Sequence, residues 1–297
     1  MAGFQAGPGL FGISNSMPGS AIMWIRDGVL VNRMHLNPVA FAFAYWLFTP
    51  PEKRARMTIE RLINFGFTKS GFSCADKMFL FNQDNDDALA NVDAAAAFYN
   101  EIATKAAESC SYFDGAIELV ADLHKAGAYS YITSAVEQEV LDRWSRSEQG
   151  KLISSNLMEI LGRRPNFFKG TDHFEYVSDT VKPDCIYYVA DAVSELLTVL
   201  ANKERFQIVS IGFSYCIDRP QVMEAVGLVK KTLEEFPKDE IPYPDEVSVD
   251  ESRLQVPEEY QLAEALRAAG ADHVVGGDSQ EIFANLRKYF VDRSVLS

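Results

Sequence analysis

The residues of this chain best placed for proton or metal chemistry are three acids near the ends of apolar runs. Asp27 follows the run Ala21-Ile22-Met23-Trp24-Ile25-Arg26 and precedes Gly28-Val29-Leu30. A carboxylate there can activate a water molecule, or it can cap the turn that follows. Asp191 and Glu195 stand four residues apart after the run Ile186-Tyr187-Tyr188-Val189-Ala190. That spacing lets the first turn of a helix present both carboxylates to one place. It can equally serve to favour a helix N-terminus electrostatically.

The run Ile25-Arg26-Asp27-Gly28-Val29-Leu30 resembles the first motif of the haloacid dehalogenase (HAD) superfamily of phosphohydrolases, Asp-x-Asp-Gly-(Val/Thr)-Leu. The resemblance makes Asp27 the general acid/base and puts Ile25 where the nucleophilic Asp belongs. An isoleucine side chain has no lone pair, so it can neither attack phosphorus nor hold a metal ion. Tyr131-Ile132-Thr133-Ser134 resembles the second motif, which implies that Thr133, with Ser134 beside it, holds phosphate. The third motif implies a lysine that offsets phosphate charge, and Lys169 in Phe168-Lys169-Gly170 is its candidate. Val189-Ala190-Asp191-Ala192-Val193-Ser194-Glu195 resembles the fourth, with Ala190 for Gly and Glu195 for the second Asp. By that resemblance magnesium falls to the Asp27 backbone carbonyl, Asp191 and Glu195. The loss of a ligand at Ile25 leaves the metal weakly held or absent.

These residues need a scaffold of alternating strands and helices. Helical spacing at Ile117, Val120, Leu123 and His124, ended by Gly127, leads into a strand at Tyr129–Ile132. Asp114 is the expected cap of that helix. Strands are expected at 186–189 and 206–213, with a helix from Ser194 to Ala201 between them, and a last short strand at Ala271–Val275. This order predicts an α/β fold with a parallel sheet covered on both faces, and the resemblance makes it a Rossmann-like HAD core with an inserted α-helical cap. The core comprises 21–32 and 113–297, the cap 33–112. Within the cap, helices are expected over Glu52–Phe65 and Ala88–Ala107. Val222, Val226, Val229, Leu233 and Phe236 make a further amphipathic stripe. A helix from Glu259 ends at Gly270, and Ser279 is expected to cap the closing one. Residues 1–20, rich in Gly, Ser and Pro, read as a flexible arm.

The chain has 297 residues and a net charge of −14. Such a balance opposes binding to nucleic acid or to an anionic membrane surface. Glu234 to Glu259 holds ten acidic residues against Lys238 and Arg253. This acidic excursion, 214–258, is expected to be solvated over 237–257, and it is the segment on which a protein partner would dock. Cys74, Cys110, Cys185 and Cys216 are scattered, which predicts reduced thiols and a cytoplasmic protein. His35, His124, His173 and His273 show no metal spacing and are expected to be structural.

The expectation is a catalytically degenerate HAD-like protein that keeps a pocket for a phosphorylated small molecule or another anion. The alternative is an active magnesium-dependent phosphohydrolase with non-standard chemistry, using Asp27 and Asp191. A third reading is a regulator that binds through 214–258.

Overall fold

The computed structural model describes residues 19–54, 57–69, 72–85, 88–215, 217–237, 247–256 and 259–296. Six strands form one sheet: β1 (Ala21–Ile25), β2 (Tyr129–Glu137), β3 (Glu159–Arg163), β4 (Ile186–Ala190), β5 (Ile208–Tyr215) and β6 (His273–Gly277). Every pairing is parallel, in the order β3-β2-β1-β4-β5-β6. The helices follow in chain order. Between β1 and β2 come α1 (Leu36–Phe48), α2 (Pro51–Arg54), α3 (Ile59–Thr68), α4 (Cys74–Gln83), α5 (Val92–Ala107) and α6 (Ala116–Lys125). Then come α7 (Gln138–Arg146) and α8 (Glu148–Ser154), α9 (Thr171–Val181), α10 (Val193–Asn202), α11 (Arg219–Leu233), α12 (Glu259–Ala268) and α13 (Ile282–Asp292).

A central parallel strand is buried on both faces and needs no alternation of polar and apolar residues. All five residues of β1 and all five of β4 are buried. On one face, Phe283 and Phe290 of α13 pack on Trp24, with ring centroids 6.5 and 6.1 Å away. On the other, Phe174 of α9 packs edge-on against Tyr188 at 5.3 Å. The Trp24 indole N–H donates to Ser130 Oγ at 3.3 Å, which satisfies the one polar atom of a fully buried ring. In register, Ile25 lies beside Thr133, and Trp24 lies beside Val189. The carboxyl ends of β1 and β4 therefore finish together, beside Thr133 in the middle of the longer β2. The sheet order reverses between β1 and β4, the point at which open α/β sheets place their ligands.

The helices between β1 and α6 form a second layer around α1. Ten of its thirteen residues are buried, because α3, α5 and α11 surround it. Phe65 bridges Phe41 and Phe81 at 6.0 and 4.8 Å, and the Tyr45 hydroxyl donates to Asn82 Oδ1 at 2.9 Å.

The helix expected over Glu52–Phe65 is two helices, because the Thr58 side chain accepts the Arg61 N–H and starts α3 afresh. Asp114 does not cap α6. Gly115 takes that place at φ +80°, a conformation that costs glycine little. Ser279 does not cap α13 either; the Asp278 carboxylate accepts the Gln280 and Glu281 N–H groups at 2.8 and 3.0 Å. Along the acidic excursion, α11 packs on α1 and α5. Residues 247–256 lie along α3 with Val247 and Leu254 buried, while most of the others are exposed to solvent as expected. The Asp250 N–H donates to Glu60 Oε1 at 2.6 Å, and Asn64 Nδ2 donates to the Arg253 carbonyl at 3.0 Å. Of the 1–20 arm, only Gly19 and Ser20 fall within the described residues, and Cys216 falls outside them. Cys74, Cys110 and Cys185 are free thiols. No helix among the described residues is long and apolar enough to cross a membrane.

Candidate functional site

β1 ends in a tight loop rather than running into a helix. The Leu30 and Val31 N–H groups both donate back to the Arg26 carbonyl, at 3.1 and 2.8 Å, and the Gly28 N–H donates to the Val31 carbonyl at 3.0 Å. Gly28 sits at φ +97°, and a Cβ there would collide with the Asp191 carboxylate. The loop after β1 is thus pressed against the loop after β4. Ile25, just before this loop, is buried, with 5% of its surface exposed.

Asp27 projects from the loop into two arginines. Arg26 Nε donates to Oδ1 and Arg26 Nη2 to Oδ2, both at 2.8 Å, and Arg33 Nη1 donates to Oδ1 at 3.2 Å. Burial alone would push the Asp27 carboxyl up. Arg26 and then Arg33 pull harder, and they hold it well below the usual carboxylate range. A carboxylate so held is a permanent anion with little basicity, which suits it poorly to exchanging protons near neutral pH.

The other predicted residues are also engaged within the protein. Thr133 is fully buried, and its hydroxyl lies 2.7 Å from His173 Nδ1 on α9. Burial first, and then the Lys169 charge, lower the His173 pKa to about 4, so this imidazole is neutral. Ser134 Oγ accepts the Val136 N–H at 3.2 Å. The Lys169 ammonium pairs with Glu195 Oε1, and the Tyr188 hydroxyl donates to Glu195 Oε2 at 3.2 Å. Asp191 lies beside this pair. Burial, and then the Glu195 charge, push its carboxyl up to about 7. Asp27, Asp191, Glu195, Thr133 and Lys169 therefore gather where β1 and β4 end, beside the middle of β2.

A cavity of about 760 Å³ opens beside Asp27, between α5 on one side and the loop after β1 with α7 and α8 on the other. Its walls include Arg26, Arg33, Tyr99, Val136 and Trp144. Of the residues singled out in the sequence, Asp27 lines it; Thr133, Ser134, Lys169, Asp191 and Glu195 are not among its walls. Sequence reasoning passed over Arg26, Arg33, Tyr188 and His173. Arg26 carried a signal, since it stands next to Asp27 in sequence. His173 lies four residues after Lys169, but no spacing ties it to Thr133, forty residues back.

No family model matches the chain, and no curated protein matches it in sequence. Solved structures do match in shape. One is a HAD family hydrolase from Deinococcus radiodurans R1 with bound phosphate and sodium, with a TM-score of 0.53 and 17% identity over 94% of this chain and 98% of that one. Another is a predicted phosphatase from Clostridium acetobutylicum, with a TM-score of 0.53 and 13% identity over 93% of this chain and 100% of that one. At such identities the likeness is one of fold. The chain has the fold of the HAD hydrolases, a Rossmann-like α/β core with a helical cap inserted after its first strand.

Proposed function

We propose that this chain is a catalytically degenerate HAD-fold protein that binds a small anion between its cap and its core. The observation that carries the reading is Ile25. It lies at the carboxyl end of the central strand, level with Thr133 and two residues before Asp27, which is where the resemblance places the attacking carboxylate. An alkyl group there offers no electron pair to phosphorus. Loss of a covalent nucleophile typically costs about 10⁴-fold or more in rate. The state of Asp27 adds to this, because its two arginines leave it a weak base.

The residues present suit magnesium poorly. A hard cation needs several oxygen ligands in regular geometry. Ile25 supplies none, and Lys169 already neutralises Glu195, which leaves the Asp27 backbone carbonyl and Asp191. Among the described residues, no three His, Cys, Asp or Glu side chains are grouped to hold a metal ion. The packing of the described part of 214–258 does not single out a protein partner: α11 packs on α1 and α5, and 247–256 is held along α3 with most of its residues exposed.

A panel of phosphomonoesters, each incubated with magnesium or manganese, tests this reading. No release of phosphate is expected. Turnover that disappears in Asp27→Asn and Asp191→Asn would refute it and favour a working hydrolase built on those two acids.

A further inference from the structure

We infer that the anion of this ligand sits on Arg33 and Arg26, on the cap side of the β1 loop, and not at Thr133 and Lys169. We infer also that the ligand is a small organic oxyanion whose apolar body lies along Trp144. The inference rests on the ligand-binding half of the function proposed above and adds the place and the chemical class.

Charge is the first argument. Arg26 and Arg33 are 7% and 8% exposed, and they share a single carboxylate, Asp27. One guanidinium charge is left over in a place where an uncompensated cation is costly. The second argument is an unused donor. Arg33 spends Nη1 on Asp27 and Nη2 on Asn37, yet its Nε is buried and has no hydrogen-bond partner. Buried N–H groups are rarely left so, and this one belongs to a residue that walls the cavity. An oxyanion against the part of this guanidinium that walls the cavity supplies the missing charge.

The corner at Thr133 and Lys169 also holds a buried nitrogen without a partner, His173 Nε2, but no residue of that corner opens on the cavity. The Thr133 hydroxyl is bonded to His173, the Lys169 ammonium is paired with Glu195, and neither residue walls the cavity. The acids at the cavity edge do not cancel the arginines. Glu108 and Glu148 are exposed to solvent, and Glu148 already pairs with Lys151.

The body of the ligand follows from the remaining walls. Val31, Val136, Val140 and Trp144 give them apolar surface, and the Arg26 guanidinium lies 5.1 Å from the centre of the Trp144 ring. At about 760 Å³ the space exceeds what a bare inorganic ion fills and falls in the range of sites for small organic ligands.

Titration calorimetry with phenyl phosphate, benzoate and inorganic phosphate tests the inference on the full chain. At least one of the two aromatic anions is expected to bind at millimolar concentration or below, and more tightly than inorganic phosphate. Which of the two binds better identifies the head group as phosphate or carboxylate. Arg33→Met should weaken that binding by roughly tenfold or more, and by more than Lys169→Met does. Because Arg33 is buried, Arg33→Lys and Arg143→Gln, at an exposed arginine that also walls the cavity, serve as variants with less risk to folding. Each should weaken binding by about threefold. Quenching of tryptophan fluorescence by the bound aromatic anion should vanish in Trp144→Phe.

Failure of both aromatic anions to bind, or a larger loss in Lys169→Met than in Arg33→Met, overturns the inference. Release of phosphate from phenyl phosphate would instead contradict the loss of chemistry, so the two failures read out separately.

Discussion

Arg26 grips both oxygens of its own neighbour in sequence, Asp27, with Nε and Nη2 each 2.8 Å from a carboxylate oxygen. Such fork-to-fork contact is among the strong forms of a side-chain ion pair, and here it falls on the acid at the turn after the central strand. Breaking a buried pair by removing one partner usually costs about 3–5 kcal/mol. Arg33 remains on Asp27, so Arg26→Leu is expected to cost less, roughly 2 kcal/mol in urea unfolding. The double variant Arg26→Leu/Asp27→Asn should fall short of the summed single losses by about 1 kcal/mol or more. Strict additivity would show that the two side chains do not depend on each other.

Asp191 ties stability to pH in the direction opposite to most carboxylates. Burial, and then Glu195, raise its folded pKa from the ordinary 3.8 to about 7. Between those values the folded protein holds a proton that the unfolded chain releases. Its contribution to stability is therefore full below about pH 4 and is lost as pH rises through 7. Asp191→Asn should flatten this fall and unfold later than the wild type at pH 8, by about 1 kcal/mol or more. Equal pH slopes in the two proteins would show that Asp191 ionises normally.

Gly28 combines a positive φ of +97° with contact against the Asp191 carboxylate. Gly28→Ala meets both the backbone strain and the collision, so a loss of about 1–3 kcal/mol is expected. In an Asp191→Ala background the strain and a close approach to the Met34 side chain remain, and the same substitution should cost less. An equal cost in both backgrounds would mean that the two loops are not pressed together as described.

Much of the scaffold was legible because parallel strands buried on both faces leave short apolar runs that end at polar residues. Ile186–Val189 and the stripe from Val222 to Leu233 appear where their patterns placed them. Strand β3 was missed. Its sequence, Glu-Ile-Leu-Gly-Arg, pairs only with β2, and as an edge strand it carries too little apolar character to stand out. The helix breaks at Thr58 and Gly115 were misjudged because a cap is decided by local backbone geometry that several neighbouring residues could supply. At the site, strand ends brought Asp27, Thr133 and Asp191 together as their positions suggested. What lay outside the sequence signal was occupancy. Nothing in the spacing shows that His173 takes the Thr133 hydroxyl, that Lys169 pairs with Glu195, or that Arg33 reaches back to Asp27.

The most direct measurement is release of phosphate from p-nitrophenyl phosphate with magnesium, by the wild-type chain and by Ile25→Asp side by side. The expected result is a wild-type rate indistinguishable from buffer and a measurable rate in the variant. Wild-type release well above buffer that disappears in Asp27→Asn would contradict the central claim, because it would show chemistry proceeding with an alkyl group at the place of attack.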